Sequence, residues 1–432
     1  MENTKERFKE LKTATHMNFL RRNKSQNSKA FCAAISKRIL MIETRKRNRK
    51  HKDQLSFMLG VEIILADLMV AVDRVPTRWV YRSKGNDRFS NELIKRVTFN
   101  KIVGLMEIAG LLEIDKGGNR SNPFHKENGP SKPFYPGLAT RFRVTVKLLE
   151  IAAIYGIIPN NIAQHYLRRL PSNVIRLRAT STSQQGLKIK GRQMAVKPCF
   201  ESDVLSTTVK NINYYLDKQF LENAVFSGYY RTFNMGDHPA FYWNKGGRIS
   251  CCGKDNYQKL KKQYRLNKIK INNESIAEVD INASYLSIFY GLIGYRLPQK
   301  NDLYEVPNLH RDIVKAWITA AFGKGAFPTR WPTNAKAELM AKDICLSKLP
   351  MKKVGQLICA AIPVMQHLPT SNITWADLMF KESEAIIAAM VSLRENFNIP
   401  AYSMHDGLIV PLSGKDIAAN EIMRAFDDLG LE

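Results

Sequence analysis

Two carboxylates far apart in the chain have neighbours that suit metal chemistry. Asp280 ends an alternating stretch, residues 275–279, that predicts a short strand, and residues 286–293 after it recur at near-helical spacing. Asp406 lies in a polar turn, residues 405–407, between two short apolar runs, a pattern typical of a β-hairpin. We expect the two aspartates to meet in space, where their oxygens would suit a hard divalent cation.

Three segments around these aspartates resemble polymerase motifs, and they follow the polymerase order. Residues 280–287 are similar to the D-x-N-S-L-Y-P-S motif of family B DNA polymerases, although the central Ser-Leu and the Pro differ. Residues 311–323 resemble the nucleotide-binding helix of palm polymerases, K-x6-Y-G in family B and R-x3-K followed by Y-G in family A. Residues 404–407 are similar to the His-Asp motif of family A and of single-subunit phage RNA polymerases, where Glu or Ser stands in place of Gly407.

The resemblance implies two-metal nucleotidyl transfer, with Asp280 and Asp406 as the catalytic and metal-binding residues. Two Mg²⁺ ions, with Mn²⁺ as an alternative, would be held by these carboxylates and by the backbone carbonyl of Ile281. Each motif alone is common as a helix cap, a solvated helix face or a turn. Their order on a strongly basic chain favours the polymerase interpretation.

The same resemblance implies a nucleotide site. Arg311 and Lys315, one turn apart on one helix face, would hold the triphosphate. Phe322, which keeps the ring of the family's Tyr, and Gly323 would face the nascent base pair. Tyr285 stands where family B polymerases keep a ring beneath the sugar, which excludes a 2′ hydroxyl and favours deoxynucleotides. A packing role beneath the helix is the alternative for Tyr285.

The charge of the chain predicts a polyanionic partner. Its 432 residues carry 66 Lys and Arg against 39 Asp and Glu, a net charge of +27. Nucleic acid is the first expectation for such an excess, and a membrane surface is the second. The sequence has no run of eighteen apolar residues, and its first residues lack the apolar core of a signal peptide. We therefore expect a cytoplasmic protein. Six cysteines without CxxC spacing are expected to be free, mostly buried thiols.

Composition and pattern predict four regions. Residues 1–52 hold 16 Lys and Arg against 4 Asp and Glu and are predicted to be a basic arm that binds phosphates, or else a merely solvated tail. Residues 53–158 are predicted to form a winged-helix-like DNA-binding region. Residues 159–225 are predicted to form a helical, thumb-like linker, and residues 226–432 a palm and fingers domain.

The winged-helix prediction rests on the order of elements after residue 90. Residues 90–110 predict two helices with a turn near residues 97–98, and two strands are predicted on either side of a loop at residues 117–137. The basic residues that would contact DNA are Lys101 on the recognition helix and Arg141 and Arg143 near the wing. Winged helices also dock proteins, which is the alternative.

Aromatic and basic residues alternate in two Gly-punctuated runs, residues 227–236 and 240–250, which predict a hairpin. Arg231 and Arg248 in these runs fit phosphate contact beside base stacking, and His405 joins them as a predicted nucleic-acid contact. An ordinary surface sheet with packed aromatic residues is the alternative.

The predicted protein is therefore α+β, with a polymerase-like palm preceded by a helical region and a winged helix-turn-helix. The predicted function is primer extension by a DNA polymerase of a plasmid, phage or mobile element. Its partners would be DNA template and primer, dNTPs and other replication proteins, and no membrane is expected. Two alternatives stay open: a primase or RNA polymerase of the same fold, and a non-catalytic replication initiator or transcription regulator that only binds DNA.

Overall fold

The computed structural model describes residues 10–11, 13–45, 47–73, 75–89, 92–117, 138–184, 187–253, 256–300, 302–346 and 349–430. Over these residues the chain is an α+β protein with twelve α-helices and small mixed sheets. The chain divides into two compact units, Met1–Asn173 with Cys252–Asp255, and Val174–Cys251 with Asn256–Glu432. The boundary at residue 173 falls inside the region predicted as one helical linker, 159–225.

The first unit contains four helices and six strands within the described residues. The helices are α1 (Gln26–Ile42), α2 (His51–Ala71), α3 (Arg96–Ile108) and α4 (Val146–Ile154). The strands are β1 (Thr15–His16), β2 (Arg21–Asn23), β3 (Val80–Tyr81), β4 (Leu112–Asp115), β5 (Arg141–Val144) and β6 (Tyr166–Arg168). One sheet has the order β1-β3-β5-β4, and β2 pairs with β6.

The N-terminal basic segment is folded where the structure describes it, which corrects the prediction of an arm over residues 1–52. Helix α1 buries Phe31, Ile35 and Ile39 in the core of the first unit. These residues recur at helical spacing, so the helix has an apolar face even though its other face is basic. Burial of that face outweighs the charge repulsion that a count of Lys and Arg suggests.

The region predicted as a helix-turn-helix contains one helix, α3, rather than two. The turn expected near residues 97–98 lies inside α3, because Thr98 and Ile102 of this helix pack against α2 at Gly60. A side chain at Gly60 would bring its Cβ within 2.7 Å of the Ile102 Cδ1 atom, so glycine permits this close approach. The two predicted strands are confirmed as the antiparallel pair β4 and β5. Most of the predicted loop, residues 118–137, lies outside the described residues.

Within the described residues, the second unit contains the longest helix, a five-stranded sheet and a four-stranded sheet. Its helices are α5 (Phe200–Leu216), α6 (Lys262–Lys268), α7 (Ser284–Ile293), α8 (Arg311–Lys324), α9 (Thr333–Met340), α10 (Met351–Ala361), α11 (Trp375–Phe397) and α12 (Lys415–Asp427). Its strands are β7 (Ile175–Arg178), β8 (Thr182–Gln184), β9 (Leu187–Ile189), β10 (Gln193–Met194), β11 (Leu221–Glu222), β12 (Tyr229–Phe233), β13 (Gly246–Cys251), β14 (Lys270–Ile271), β15 (Glu274–Asp280), β16 (Tyr402–Met404) and β17 (Gly407–Pro411).

The sheets of the second unit differ in their hydrogen-bonding patterns. A mixed sheet has the order β10-β7-β12-β13, and a five-stranded antiparallel sheet has the order β11-β14-β15-β17-β16. The hairpin predicted over residues 227–250 is confirmed as β12 and β13. The predicted helical linker is corrected, because it contains strands β6 to β11 as well as α5. Residues 161–169, predicted to be helical, form a short 3₁₀ turn and β6.

Helix α11 is fixed to the β12–β13 hairpin by three ion pairs. Its residues Asp377, Glu382 and Glu384 pair with Lys245, Arg248 and Arg231, respectively. The helix begins at a capping box, in which the Asp377 carboxylate accepts a hydrogen bond from the Thr374 backbone N–H at 2.9 Å. Acidic residues of α11 therefore neutralise basic residues of the hairpin.

Helix α2 is, within the described residues, the one helix long and apolar enough to cross a membrane. Its most apolar window is 61% buried inside the protein, as expected for a core helix. Asp67 in this helix is buried and accepts a hydrogen bond from the Phe19 backbone N–H at 2.8 Å. Cys32, Cys251 and Cys252 are buried, so half of the six cysteines, rather than most of them, lie in the interior.

Candidate active site at the Asp280–Asp406 strand pair

Strand pairing brings the two predicted catalytic aspartates together. Asp280 is the last residue of β15 and lies directly opposite Gly407, the first residue of β17. Residues opposite each other in an antiparallel pair have Cα atoms roughly 4.5–5.5 Å apart. Asp406 immediately precedes Gly407, so both carboxylates stand at the same end of the five-stranded sheet.

A tight hairpin fixes the position of Asp406. Met404 pairs with Gly407, so His405 and Asp406 form a two-residue loop between β16 and β17. His405 is exposed and has a left-handed backbone with φ of 59°. A Cβ atom at Gly407 would lie 2.3 Å from the Val279 carbonyl oxygen, so glycine permits this close approach of β17 to β15.

Strand β16 lies at the edge of the sheet, and side chains satisfy its outer backbone groups. The Ser403 N–H donates to the Tyr229 hydroxyl at 2.9 Å, and the Ser403 carbonyl accepts from the Tyr257 hydroxyl and from Gln258. The two tyrosine hydroxyls are 2.6 Å apart. This buried network holds the outer strand of the hairpin that carries Asp406.

A second left-handed residue, Ala283 with φ of 55°, redirects the chain after Asp280 into helix α7. The intervening Asn282 accepts a hydrogen bond from Arg311 on α8 at 3.2 Å. Arg311 also pairs with Asp302, with 2.5 Å between Nε and Oδ2, and its guanidinium lies over the Tyr304 ring. Arg311, predicted to bind a triphosphate, thus connects α8 to the segment that follows Asp280.

The environment of Asp280 makes its ionisation unfavourable. Partial burial raises the pKa of the Asp280 carboxyl, and the negative charge of Asp406 raises it further. A hydrogen bond from the Ile281 backbone and the positive charges of Lys262 and Lys315 act in the opposite direction. Two carboxylates that repel each other in this way form a site that a divalent cation would stabilise.

Lys315 faces this site from helix α8 and is exposed. Its charge reaches the Asp280 carboxyl, whose pKa it lowers. Among the described residues, the Lys315 ammonium group has no hydrogen-bond or ion-pair partner, whereas Arg311 one turn earlier is paired. Lys315 is therefore the cation of this helix that is available for a ligand.

Tyr285 is held by a buried ionic network. Its hydroxyl accepts a hydrogen bond from Arg248 at 3.2 Å, and Arg248 is ion-paired with Glu382. Burial raises the pKa of the Tyr285 hydroxyl, and the charges of Glu382 and Asp406 add to this rise. Burial likewise raises the pKa of Glu382, against the opposing effects of Arg248 and the Ser284 hydroxyl.

Phe322 and Gly323 differ in what they offer to a ligand. Phe322 is 2% exposed, and its ring packs edge-on against Phe289 at 5.3 Å and Tyr285 at 6.4 Å between centroids. Its position supports Tyr285 from within the core rather than presenting a ring to a base pair. Gly323 is exposed, and a Cβ atom there would meet nothing within 4 Å.

Several predicted nucleic-acid contacts serve inside the protein instead. Arg231 is 1% exposed, pairs with Glu384 and donates to the Gly247 carbonyl, so burial corrects its predicted role. Arg141 is also buried and bonds to backbone carbonyls, which corrects its placement near a DNA-facing wing.

Four further predicted contacts keep part of their surface. Arg143 pairs with Glu10 and Glu113, and Lys101 pairs with Glu43 at 3.5 Å. Arg248 is committed to Glu382 and Tyr285. His405 remains exposed at the hairpin tip.

Three residues close to the aspartates lie outside the predicted site. Glu382 on α11, Lys262 on α6 and Tyr304 in the loop before α8 all interact electrostatically with Asp280 or Asp406. The charge of Asp406 contributes to a Tyr304 pKa that burial raises to about 12.

The donor set fits Mg²⁺ bound partly by substrate. No cluster of three or more His, Cys, Asp or Glu suited to a metal occurs in the described part of the chain. Mg²⁺ is commonly held by one or two carboxylates together with substrate phosphates and water, and the Asp280–Asp406 pair matches that pattern. The like-charge repulsion at this pair supports the fit.

Comparisons of the chain with protein-family models, with curated proteins and with solved structures find no significant match. The chemistry open to this site follows from its own geometry and charges.

Proposed function

We propose that this protein is a template-directed nucleotidyltransferase that extends a DNA primer with dNTPs. The observation that carries the proposal is the pairing of Asp280 with Gly407, which places two carboxylates 126 residues apart in the sequence at one end of an antiparallel sheet. Two carboxylates brought together from separate segments can hold the metal ions that two-metal phosphoryl chemistry uses. Lys315 supplies a cation beside them.

The proposed fold of the second unit is palm-like. Its five-stranded sheet carries Asp280 on a central strand and Asp406 at the tip of the adjoining hairpin, while α8 carries Lys315. For the first unit we propose a winged-helix-like role in DNA binding, supported by α3 followed by the β4–β5 pair.

Each residue of the site has a distinct task in this proposal. Asp280 and Asp406 hold divalent cations, which when bound supply the Lewis-acid chemistry that the attacking hydroxyl and the leaving pyrophosphate require. Lys315 binds the triphosphate of the incoming nucleotide. Arg311 holds the Asp280–Asn282 segment against α8, and the ring of Tyr285 lies beneath the sugar.

The proposal is tested by primer extension on a primed DNA template with Mg²⁺ and dNTPs. We expect the wild type to extend the primer and Asp280→Asn or Asp406→Asn to abolish extension. Asp416→Asn is the matched control, because Asp416 is an exposed aspartate of the same unit outside the site. Absence of extension by the wild type with Mg²⁺ and with Mn²⁺ on several primed templates would refute the proposal.

RNA synthesis is the second candidate, because the His405-Asp406 turn also resembles that of single-subunit RNA polymerases. The hydrogen-bonded Tyr285 ring favours deoxynucleotides over this candidate. Incorporation of ribonucleotides without a primer, unchanged or improved in Tyr285→Ala, would support RNA synthesis instead.

A further inference from the structure

Glu382 is a buried carboxylate whose contacts all lead to the start of helix α7. It is 1% exposed and accepts a hydrogen bond from the Ser284 hydroxyl at 2.7 Å. Its other oxygen is ion-paired with Arg248 of β13. A buried charge of this kind is tolerated only when its partners are well placed, so Glu382, Ser284 and Arg248 constrain one another.

Arg248 connects Glu382 to the ring that the proposed function places beneath the sugar. The same terminal nitrogen that pairs with Glu382 donates to the Tyr285 hydroxyl at 3.2 Å. Ser284 and Tyr285 are consecutive residues, so Glu382 holds the backbone start of α7 through one and the ring through the other. The charge of Asp406 raises the pKa of both Glu382 and Tyr285, which places this network beside the aspartate pair.

We propose that Glu382 is a positioning residue that sets sugar selectivity by fixing the Tyr285 ring through Arg248. The inference rests on the proposed polymerase function and extends it to a residue outside the three motifs. To exclude a 2′ hydroxyl, the Tyr285 ring must keep a fixed position, because a shift of a fraction of an ångström would make room for the oxygen. Fixation of the hydroxyl of Tyr285 supplies that stiffness.

Glu384 provides a matched control on the same helix. It pairs with Arg231 of β12, just as Glu382 pairs with Arg248 of β13. Arg231 otherwise contacts the Gly247 carbonyl and the Phe233 ring, whereas the described hydrogen bond and ring contact of Tyr285 are to Arg248 and Phe322. Loss of the Glu384 pair therefore loosens the contact of α11 with the hairpin without releasing the ring.

The experiment measures kcat/KM for a dNTP and for the matching rNTP in single-nucleotide primer extension. The variants are Glu382→Gln, Tyr285→Phe, the double variant and Glu384→Gln. We expect the dNTP to rNTP preference to fall about tenfold in Glu382→Gln and in Tyr285→Phe, the size expected for loss of one positioning hydrogen bond. Because the two residues act through one contact, the double variant should fall no further. Glu384→Gln should keep the wild-type preference.

Other outcomes overturn the inference in distinguishable ways. Wild-type preference in a folded Glu382→Gln, effects that multiply in the double variant, or an equal fall in Glu384→Gln would each refute the role of Glu382 and leave the polymerase proposal standing. Absence of dNTP incorporation by the wild type would refute the proposed function and this inference with it. If Glu382→Gln does not fold, Arg248→Lys keeps a cation beside Glu382 but removes the guanidinium nitrogen that donates to the Tyr285 hydroxyl, and an unchanged preference in that variant overturns the inference.

Discussion

Replacing Gly407 by alanine tests the strand pairing on which the site depends. A Cβ atom at residue 407 would lie 2.3 Å from the Val279 carbonyl oxygen and 3.1 Å from the Asp280 Cα atom. Both are backbone atoms of β15, so no side-chain rotation can relieve the contact. Gly407 does not have a left-handed backbone, and the cost of alanine is therefore steric.

The size of the effect follows from these distances. Ordinary van der Waals contact begins at 3.4 Å, so β17 must move from β15 by about 1 Å at this point. Overpacking of this kind costs about 1–3 kcal/mol of folding free energy, which corresponds to a Tm lower by roughly 2–12 °C. A displacement of about 1 Å between catalytic groups reduces kcat by about a hundredfold.

The assay combines calorimetry with primer extension for Gly407→Ala. The control is Gly104→Ala in α3, where a Cβ atom meets nothing within 4 Å and alanine is the better helix former. We expect the control to keep wild-type extension and to have an equal or higher Tm. A Gly407→Ala protein with both wild-type Tm and wild-type kcat would show that Asp280 and Asp406 are not held together by this strand pair.

Three further changes have outcomes that the structure specifies. Burial and the Asp406 charge raise the pKa of Asp280 above its unfolded value, so ionisation of Asp280 opposes folding at pH values above the folded pKa. Asp280→Asn should therefore raise the Tm at pH 8, and calorimetry should show the gain shrinking as the pH falls through that raised pKa. Lys315→Ala should raise the KM for dNTPs about tenfold with little change in kcat, whereas the exposed Lys353 of α10, changed to alanine, should alter neither constant. Tyr257→Phe removes the hydroxyl that donates a hydrogen bond to the Ser403 carbonyl of β16. This change should lower the free energy of unfolding, measured in urea, by about 1–3 kcal/mol.

The parts of the site that the sequence predicted are those with local signals. Alternation before Asp280 and a two-residue polar turn at Asp406 each define a strand end within a few residues, and both are confirmed. The pairing of β4 with β5 and of β12 with β13 was predictable for the same reason. In each case the pattern of one short segment decides the element.

The parts that the sequence did not predict depend on partners distant in the chain. Arg231 and Glu384 are 153 residues apart, and the local sequence around each residue does not predict their pairing. Residues 97–98 are likewise helical where Thr98 and Ile102 pack against Gly60 of another helix, a contact that the local sequence does not show. Tertiary packing overrode local preference at these positions.

The net positive charge of the chain suggests a nucleic-acid partner, yet several basic residues predicted to contact nucleic acid are ion-paired within the protein. The position of each basic residue explains this difference. A basic residue that alternates with aromatic residues in a strand is carried into the interior, where an unpaired charge is costly and a carboxylate must accompany it. Arg231 and Arg248 meet this requirement through α11. The pairing leaves Arg231 buried, whereas Arg248 keeps part of its surface. Lysines on solvent-facing helices have no such constraint. Lys262, with its side chain 69% exposed and 3.9 Å from Glu278, and Lys315 keep their charges at the surface beside Asp280, and in the proposed function they are two cations that can meet a phosphate.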